Sequence, residues 1–352
     1  MTRTPRGDAM PSTTRPTAVA TALLAALLLA GSSGCSGGGG PDGADGSDRG
    51  FAGAVPGRAP AGPTPTPSPT PTPTPTPPPT SPYVALGDSY TAGPKIAPQV
   101  GDPGGCARSG VNYPSLLAKA LAVPSGQFRD VSCSGARTGD LRAVQRTDDG
   151  PNPAQLDALT PATRLVTLGI GGNDAGFMQV VTECAKANLV DAVKDLVGED
   201  RAAAPCREHY ASGGTDEVQA RVDEAGTKVA EALQEIRRRS PQARVYVVGY
   251  PALLPADPAS CKPTLGGTLA PADLGFLAEK ERQLNGMLKQ RAEAAGAVFV
   301  DTSGPSAGHD MCAGEDARWI EPPFPAHGLT PIHPNARGQE AVAAVVLKAV
   351  RG

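Results

Sequence analysis

The sequence predicts an α/β fold: a three-layer α/β/α sandwich around a parallel, five-stranded sheet, occupying residues 83–352. Two observations predict it. From Tyr83 onward, short apolar runs, several rich in valine, alternate with stretches of helical periodicity, as strands buried on both faces and their crossover helices would read. Glycine-marked polar turns follow three of those runs, at the C-terminal strand edge where open α/β sheets bind ligands. There is no internal repeat and no second domain boundary.

Taken in order, residues 1–35 read as an export signal. Arg3, Arg6 and Arg15 supply a positive n-region, and Thr17–Ala30 is an uncharged apolar run too short to favour a spanning helix. Ser32-Ser33-Gly34 then precede Cys35, the position at which a bacterial lipoprotein signal would be lipidated, although the usual aliphatic residue three before the cysteine is absent. Ordinary cleavage and full secretion is the alternative. Residues 36–82 are expected to be disordered, Gly/Asp/Ala-rich over Gly37–Gly62 and nearly pure Pro/Thr over Pro63–Pro82. The second part suits a polyproline II stalk of about 3.1 Å per residue, roughly 60 Å of reach. With lipid on Cys35, that stalk would hold the domain off the membrane.

The strands are expected at Tyr83–Gly87, Phe128–Cys133, Arg164–Gly169, Val245–Gly249 and Ala297–Asp301. The clearest helix places Val218, Val222, Ala225, Val229, Leu233 and Ile236 on one face, carries the basic run Arg237–Arg239 at its C-terminus and stops before Pro241. A second lies within Pro271–Ala295 with Leu277, Leu284, Leu288 and Ala292 inward, and a third, Asn335–Val350, closes the chain. Gly176–Gly214 is a long segment able to cover the mouth of a site.

A net charge of −3 points away from nucleic acid or any other polyanion as a partner. Six cysteines lie in the domain, Cys106, Cys133, Cys184, Cys206, Cys261 and Cys312, with Cys35 the seventh. In an exported chain the six suggest three disulfides, with any of 15 pairings open, and leave Cys35 for lipid. With no C-x-x-C and no His/Cys cluster, no metal site is expected. No cofactor is expected either, since there is no P-loop and GIGGND lacks dinucleotide-binding spacing.

Four stretches carry chemistry. Val84–Gly93, VALGDSYTAG, runs from an apolar strand into a tight turn and sets the hydroxyl of Ser89 at the sheet's edge, where it is either a nucleophile or the N-cap of a helix. Ser132–Leu141, SCSGARTGDL, offers the backbone N–H of Gly135, and Gly169–Asp174, GIGGND, offers the side-chain N–H of Asn173. Such donors stabilise an acyl oxyanion, though both loops also read as simple turns. Ile332–Glu340, IHPNARGQE, sets His333 before a helix start, as a base or as a cap. His209, His309 and His327 are assigned structural roles. The G-x-S-x-G elbow of α/β-hydrolases does not fit, because Thr91 stands two residues after Ser89.

GDSYTAG, the CSGA loop, GGND and HPNARG, in this order over about Tyr83–Gly352, resemble the four blocks of the SGNH, or GDSL, hydrolase family, and the six cysteines resemble its extracellular actinobacterial lipase and esterase branch. The resemblance implies a flavodoxin-like sheet and a serine esterase or lipase that hydrolyses acyl esters through an acyl-enzyme, acting as a monomer. Ser89 is the implied nucleophile, His333 the base and then the acid, and the N–H groups of Ser89 and Gly135 with the amide of Asn173 form the oxyanion hole. The implied disulfides are Cys106–Cys133, Cys184–Cys206 and Cys261–Cys312. The family's usual aspartate three before the histidine is Thr330 here, so a Ser–His dyad is expected, with the Thr330 carbonyl accepting from His333 Nδ1; a displaced acid, Asp310 or Asp316, is the alternative. Two other readings remain open: a carbohydrate O-deacetylase acting on wall glycans, and a non-catalytic, glycan-binding surface lipoprotein on a hydrolase scaffold.

Overall fold

Five strands line up in the order β4-β1-β7-β8-β9, all parallel, in a computed structural model that describes residues 80–196, 198, 200, 202–261, 269–325 and 328–352. The expected export signal, Cys35, the 36–82 segment up to residue 79 and His327 lie outside the described residues. In chain order the strands are β1 (Tyr83–Gly87), β2 (Gln99–Val100), β3 (Arg108–Ser109), β4 (Phe128–Asp130), β5 (Gln145–Thr147), β6 (Gly150–Asn152), β7 (Leu165–Gly169), β8 (Arg244–Val248) and β9 (Val298–Val300). Here β2–β3 and β5–β6 are small antiparallel ribbons outside the main sheet. The α-helices are α1 (Ser89–Ala92), α2 (Tyr113–Ala120), α3 (Phe177–Leu196), α4 (Pro205–Tyr210), α5 (Glu217–Arg239), α6 (Pro271–Ala294) and α7 (Ala336–Arg351).

The central strands are buried on both faces, which accounts for their unbroken apolar character. Alternate residues go opposite ways. Val84, Leu86, Val166, Leu168, Val245 and Val247 pack with α5 and α6, whereas Tyr83, Ala85, Leu165, Tyr246 and Val248 pack with α2 and α7. That is the three-layer sandwich the alternation predicts. The α5 stripe is buried as expected from Val218 to Ile236, and α6 and α7 begin and end within two residues of their expected limits. β4 is regular over three residues only, yet Val131 N–H and Cys133 N–H still donate to Ala85 and Gly87 carbonyls, so the pairing continues to the expected Cys133. The segment Gly176–Gly214 contains two helices, α3 and α4. The disulfides are Cys106–Cys133, Cys184–Cys206 and Cys261–Cys312, the pairing the resemblance implied.

The end of β1 is where the sheet prepares the site. Gly87 pairs with Gly169 of β7, and a Cβ on Gly87 would lie 2.2 Å from Thr91 Oγ1 and 2.7 Å from the Gly169 carbonyl oxygen. Only glycine lets the strand turn this tightly into α1. On the β4 side its peptide is clamped by a buried side chain: Gly87 N–H donates to Gln155 Oε1 at 2.8 Å and Gln155 Nε2 donates to the Gly87 carbonyl at 2.9 Å. Gln155→Ala leaves that buried N–H without an acceptor and is expected to cost about 1–3 kcal/mol, read as a lower urea midpoint at unchanged slope.

Candidate active site

Loops after β1, β4 and β7 meet the segment that precedes α7 at the C-terminal edge of the sheet. The helix after β1 starts at Ser89, and its N-cap is Asp88, whose Oδ1 accepts from Tyr90 N–H at 2.9 Å. Ser89 is therefore not the cap, and its hydroxyl is free to face the cleft. Ser89 Oγ lies 2.8 Å from His333 Nε2. Both line a cavity of about 400 Å³ together with Gly135, Asn173 and the apolar side chains of Phe177, Met178, Leu253 and Leu284.

The donors expected for an oxyanion sit on the same rim. Gly135 is held at φ +77°, and among the described residues no acceptor takes its N–H or that of Ser89. One N–H of Asn173 donates to the Ala136 carbonyl at 3.0 Å, which fixes the amide and leaves its second N–H for the cavity. The two loops are tied together by a residue the sequence reading passed over. Asp174, the last residue of GGND, accepts from Thr138 N–H at 2.9 Å and from Thr138 Oγ1 at 2.6 Å. The Cys106–Cys133 bridge anchors the Gly135 loop, with Ser134 N–H on the Cys106 carbonyl and Gln145 Nε2 on the Ser134 carbonyl.

The expected histidine contact needs correcting. His333 Nδ1 lies 2.7 Å from the carbonyl oxygen of Pro331, not that of Thr330. The cause is Ile332, which takes a left-handed φ of +56° and folds the ring back onto the carbonyl two residues upstream. A β-branched residue is strained there and needs its surroundings to hold it. Ile332 N–H donates to the Glu321 carbonyl at 3.0 Å, and Tyr90 OH donates to the Ile332 carbonyl at 2.6 Å. Thr330 instead donates its hydroxyl to the Pro94 carbonyl at 3.1 Å. No displaced acid replaces the missing aspartate: Asp310 Oδ1 accepts from Cys312 N–H, and among the described residues no carboxylate pairs with the imidazole. Burial holds His333 below the ordinary histidine value, against the smaller opposing effect of the Pro331 carbonyl. Of the other histidines, His309 stacks on Trp319 and His209 meets the edge of Tyr210, both structural contacts.

Two buried carboxyls border the cavity. Burial raises Asp88 to about 7 even though Tyr250 OH donates to its Oδ2 at 2.6 Å; the same hydroxyl accepts from Gly172 N–H at 2.9 Å. Burial raises Glu281 of α6 to about 8. Gln339, on α7, joins the last helix to the nucleophile turn: its Nε2 donates to the Tyr90 carbonyl and its Oε1 accepts from Tyr113 N–H. Tyr250 lies in none of the four stretches and Gln339, although within Ile332–Glu340, has no role assigned there; their burial is what marks them.

Similarity to known proteins agrees with this geometry. A family model, the GDSL-like Lipase/Acylhydrolase family, matches residues 85–341. The chain is 40% identical over 269 residues to Lipase 2 of Streptomyces coelicolor, covering 75% of this chain and 84% of that protein. It is 32% identical over 255 residues to an esterase of Streptomyces scabiei, covering 67% and 73%. Among solved structures, the extracellular lipase of Streptomyces rimosus aligns with a TM-score of 0.57 at 30% identity, covering 76% of this chain and 98% of that one. Phospholipase A1 of Streptomyces albidoflavus NA297 aligns with a TM-score of 0.59 at 26% identity, covering 77% and 98%. With solved lipase structures of similar fold, a family model over most of the described domain, a serine and histidine in contact and four blocks in sequence, the chain belongs to the GDSL-like lipase/acylhydrolase family and is a carboxylic ester hydrolase.

Proposed function

We propose that the protein is an exported serine esterase or lipase that cleaves acyl esters through an acyl-enzyme on a Ser89–His333 dyad. The observation that carries this is the 2.8 Å contact between Ser89 Oγ and His333 Nε2 at the mouth of an apolar cavity. Neutral His333, with Nδ1–H held by the Pro331 carbonyl, presents Nε2 as the acceptor. It takes the Ser89 proton as Oγ attacks the ester carbonyl. The oxyanion rests on the N–H groups of Ser89, Gly135 and Asn173. Imidazolium then protonates the leaving alcohol, and water attacks the acyl-enzyme by the same route. The walls of Phe177, Met178, Leu253 and Leu284 support an acyl group longer than acetyl, which favours a lipid or fatty ester over a glycan acetate.

Three disulfides and the extracellular lipase among the relatives support export, in keeping with the signal expected at residues 1–35. Nothing among the relatives supports a lipid anchor on Cys35, so the proposal stops at export.

Ser89→Ala is expected to lower kcat on p-nitrophenyl esters by about 10³-fold or more with KM little changed; retention of the wild-type rate would remove the mechanism. Asn173→Ala is expected to lower kcat by about 10²–10³ through loss of one oxyanion donor, read in the same assay. The acid limb of kcat/KM should have its midpoint below the ordinary histidine value of about 6.5. The sign follows from the depressed value of His333, which keeps the ring neutral and able to accept a proton further into acid. A midpoint at or above about 7 would instead implicate Asp88.

A further inference from the structure

Adjoining the reaction cavity is a second, smaller one of about 20 Å³, walled by apolar side chains including Val181, Leu254, Leu274, Leu277 and Met311. Phe177, Leu253 and Glu281 border both. A volume of that size admits about one water-sized group, the end of a chain but not its length. The inward stripe of α6 runs Leu277, Glu281, Leu284, Leu288 in steps of four, three and four, so a carboxyl stands where the pattern calls for another leucine. It is 5% exposed, accepts Leu253 N–H at 2.9 Å and makes no ion pair among the described residues. An uncompensated buried acid is costly, and its presence in a substrate cavity asks for a use.

We propose that the small cavity seats the methyl end of a long acyl chain and that Glu281 is the specificity-determining residue that admits or refuses it. The proposal deepens the esterase reading and rests on it. As a neutral acid, Glu281 presents a weakly polar surface that a methylene chain can pass. As a carboxylate it holds water, and a chain lying against it must strip that water off. Burial raises its value to about 8, so the change falls on the alkaline side of neutrality. The groups facing it are Arg282 beside it on α6, Asp310 from the segment before Met311, and Tyr90 from α1, with Asp88, Lys95 and His333 elsewhere on the cavity wall. Arg282 favours the carboxylate and Asp310 opposes it, both more weakly than burial. Asp88 and His333 lie at the reacting end, where they affect every ester alike. A ratio of long-chain to short-chain rates therefore cancels them and isolates Glu281.

The test measures kcat/KM for p-nitrophenyl decanoate and acetate on the intact protein from pH about 6.5 to about 9.5, after subtracting the Ser89→Ala background. The decanoate-to-acetate ratio is expected to fall about fivefold or more across that range in the wild type. In Glu281→Gln, which keeps an acceptor for Leu253 N–H and cannot ionise, the ratio should stay flat. Glu281→Leu should raise the ratio at every pH, with thermal unfolding checked alongside. A wild-type ratio that does not change with pH, or an equal fall in Glu281→Gln, overturns the proposal while leaving the esterase reading intact. Failure of the esterase reading would show separately, as Ser89→Ala hydrolysing acetate at the wild-type rate.

Discussion

The constraint on which the site depends is the placement of four consecutive residues, Gly87 to Tyr90, at the point where β1 stops. Three of them, Gly87, Asp88 and Tyr90, are held from different parts of the chain. Gln155 takes both polar groups of Gly87, and the Gly169 carbonyl accepts from Asp88 N–H at 2.9 Å. Tyr250 reaches the Asp88 carboxyl from beyond β8, and Gln339 reaches the Tyr90 carbonyl from α7. Because Tyr250 OH also accepts from Gly172 N–H, one hydroxyl couples the turn of Ser89 to the loop of Asn173. The geometry between hydroxyl and amide is thus set by the β1–β7 register and by tertiary hydrogen bonds, not by local turn preference. Preorganisation of this kind is what makes hydrogen-bond donors effective toward a developing charge.

The fold was legible because its strands are doubly buried and its best helices are amphipathic, so both periods stand out. α3 was not legible. Its Leu189, Val190 and Val193 are exposed, which spreads apolar residues around the helix and erases the stripe. Ser89, Gly135, Asn173 and His333 could be singled out because their four blocks stand in a family's order; each block alone also reads as a turn or a cap, and their chemical roles belong to the proposal. The histidine's acceptor was not legible. Whether the ring turns to the Thr330 or the Pro331 carbonyl depends on the sign of φ at Ile332, and isoleucine gives no warning of a left-handed backbone. Glu281 was hidden for the opposite reason: the leucines around it made a convincing core stripe, and a charged residue within such a stripe reads as its edge. Burial, not sequence, separates an edge position from a buried acid.

Orienting the histidine with a carbonyl has a physical consequence for the dyad. A carboxylate on Nδ1 would fix the tautomer and also stabilise the imidazolium by charge, raising the ring's basicity. A carbonyl fixes the tautomer through its dipole alone, and the depressed value of His333 fits that weaker support. The site already carries Asp88, a carboxyl buried beside the nucleophile and raised to about 7. A carboxylate at position 330 would add a third acid to a cavity that Asp88 and Glu281 already border, pushing them further upward and costing more desolvation. On the dyad reading, the chain avoids that cost and accepts a weaker base, which remains neutral to lower pH. More of the barrier then has to be removed at the oxyanion. The loops of Gly135 and Asn173 are braced by the Cys106–Cys133 bridge, by Gln145 on Ser134 and by Asp174 on Thr138. On the dyad reading, this bracing around Gly135 and Asn173 stands in for the charge that residue 330 does not supply.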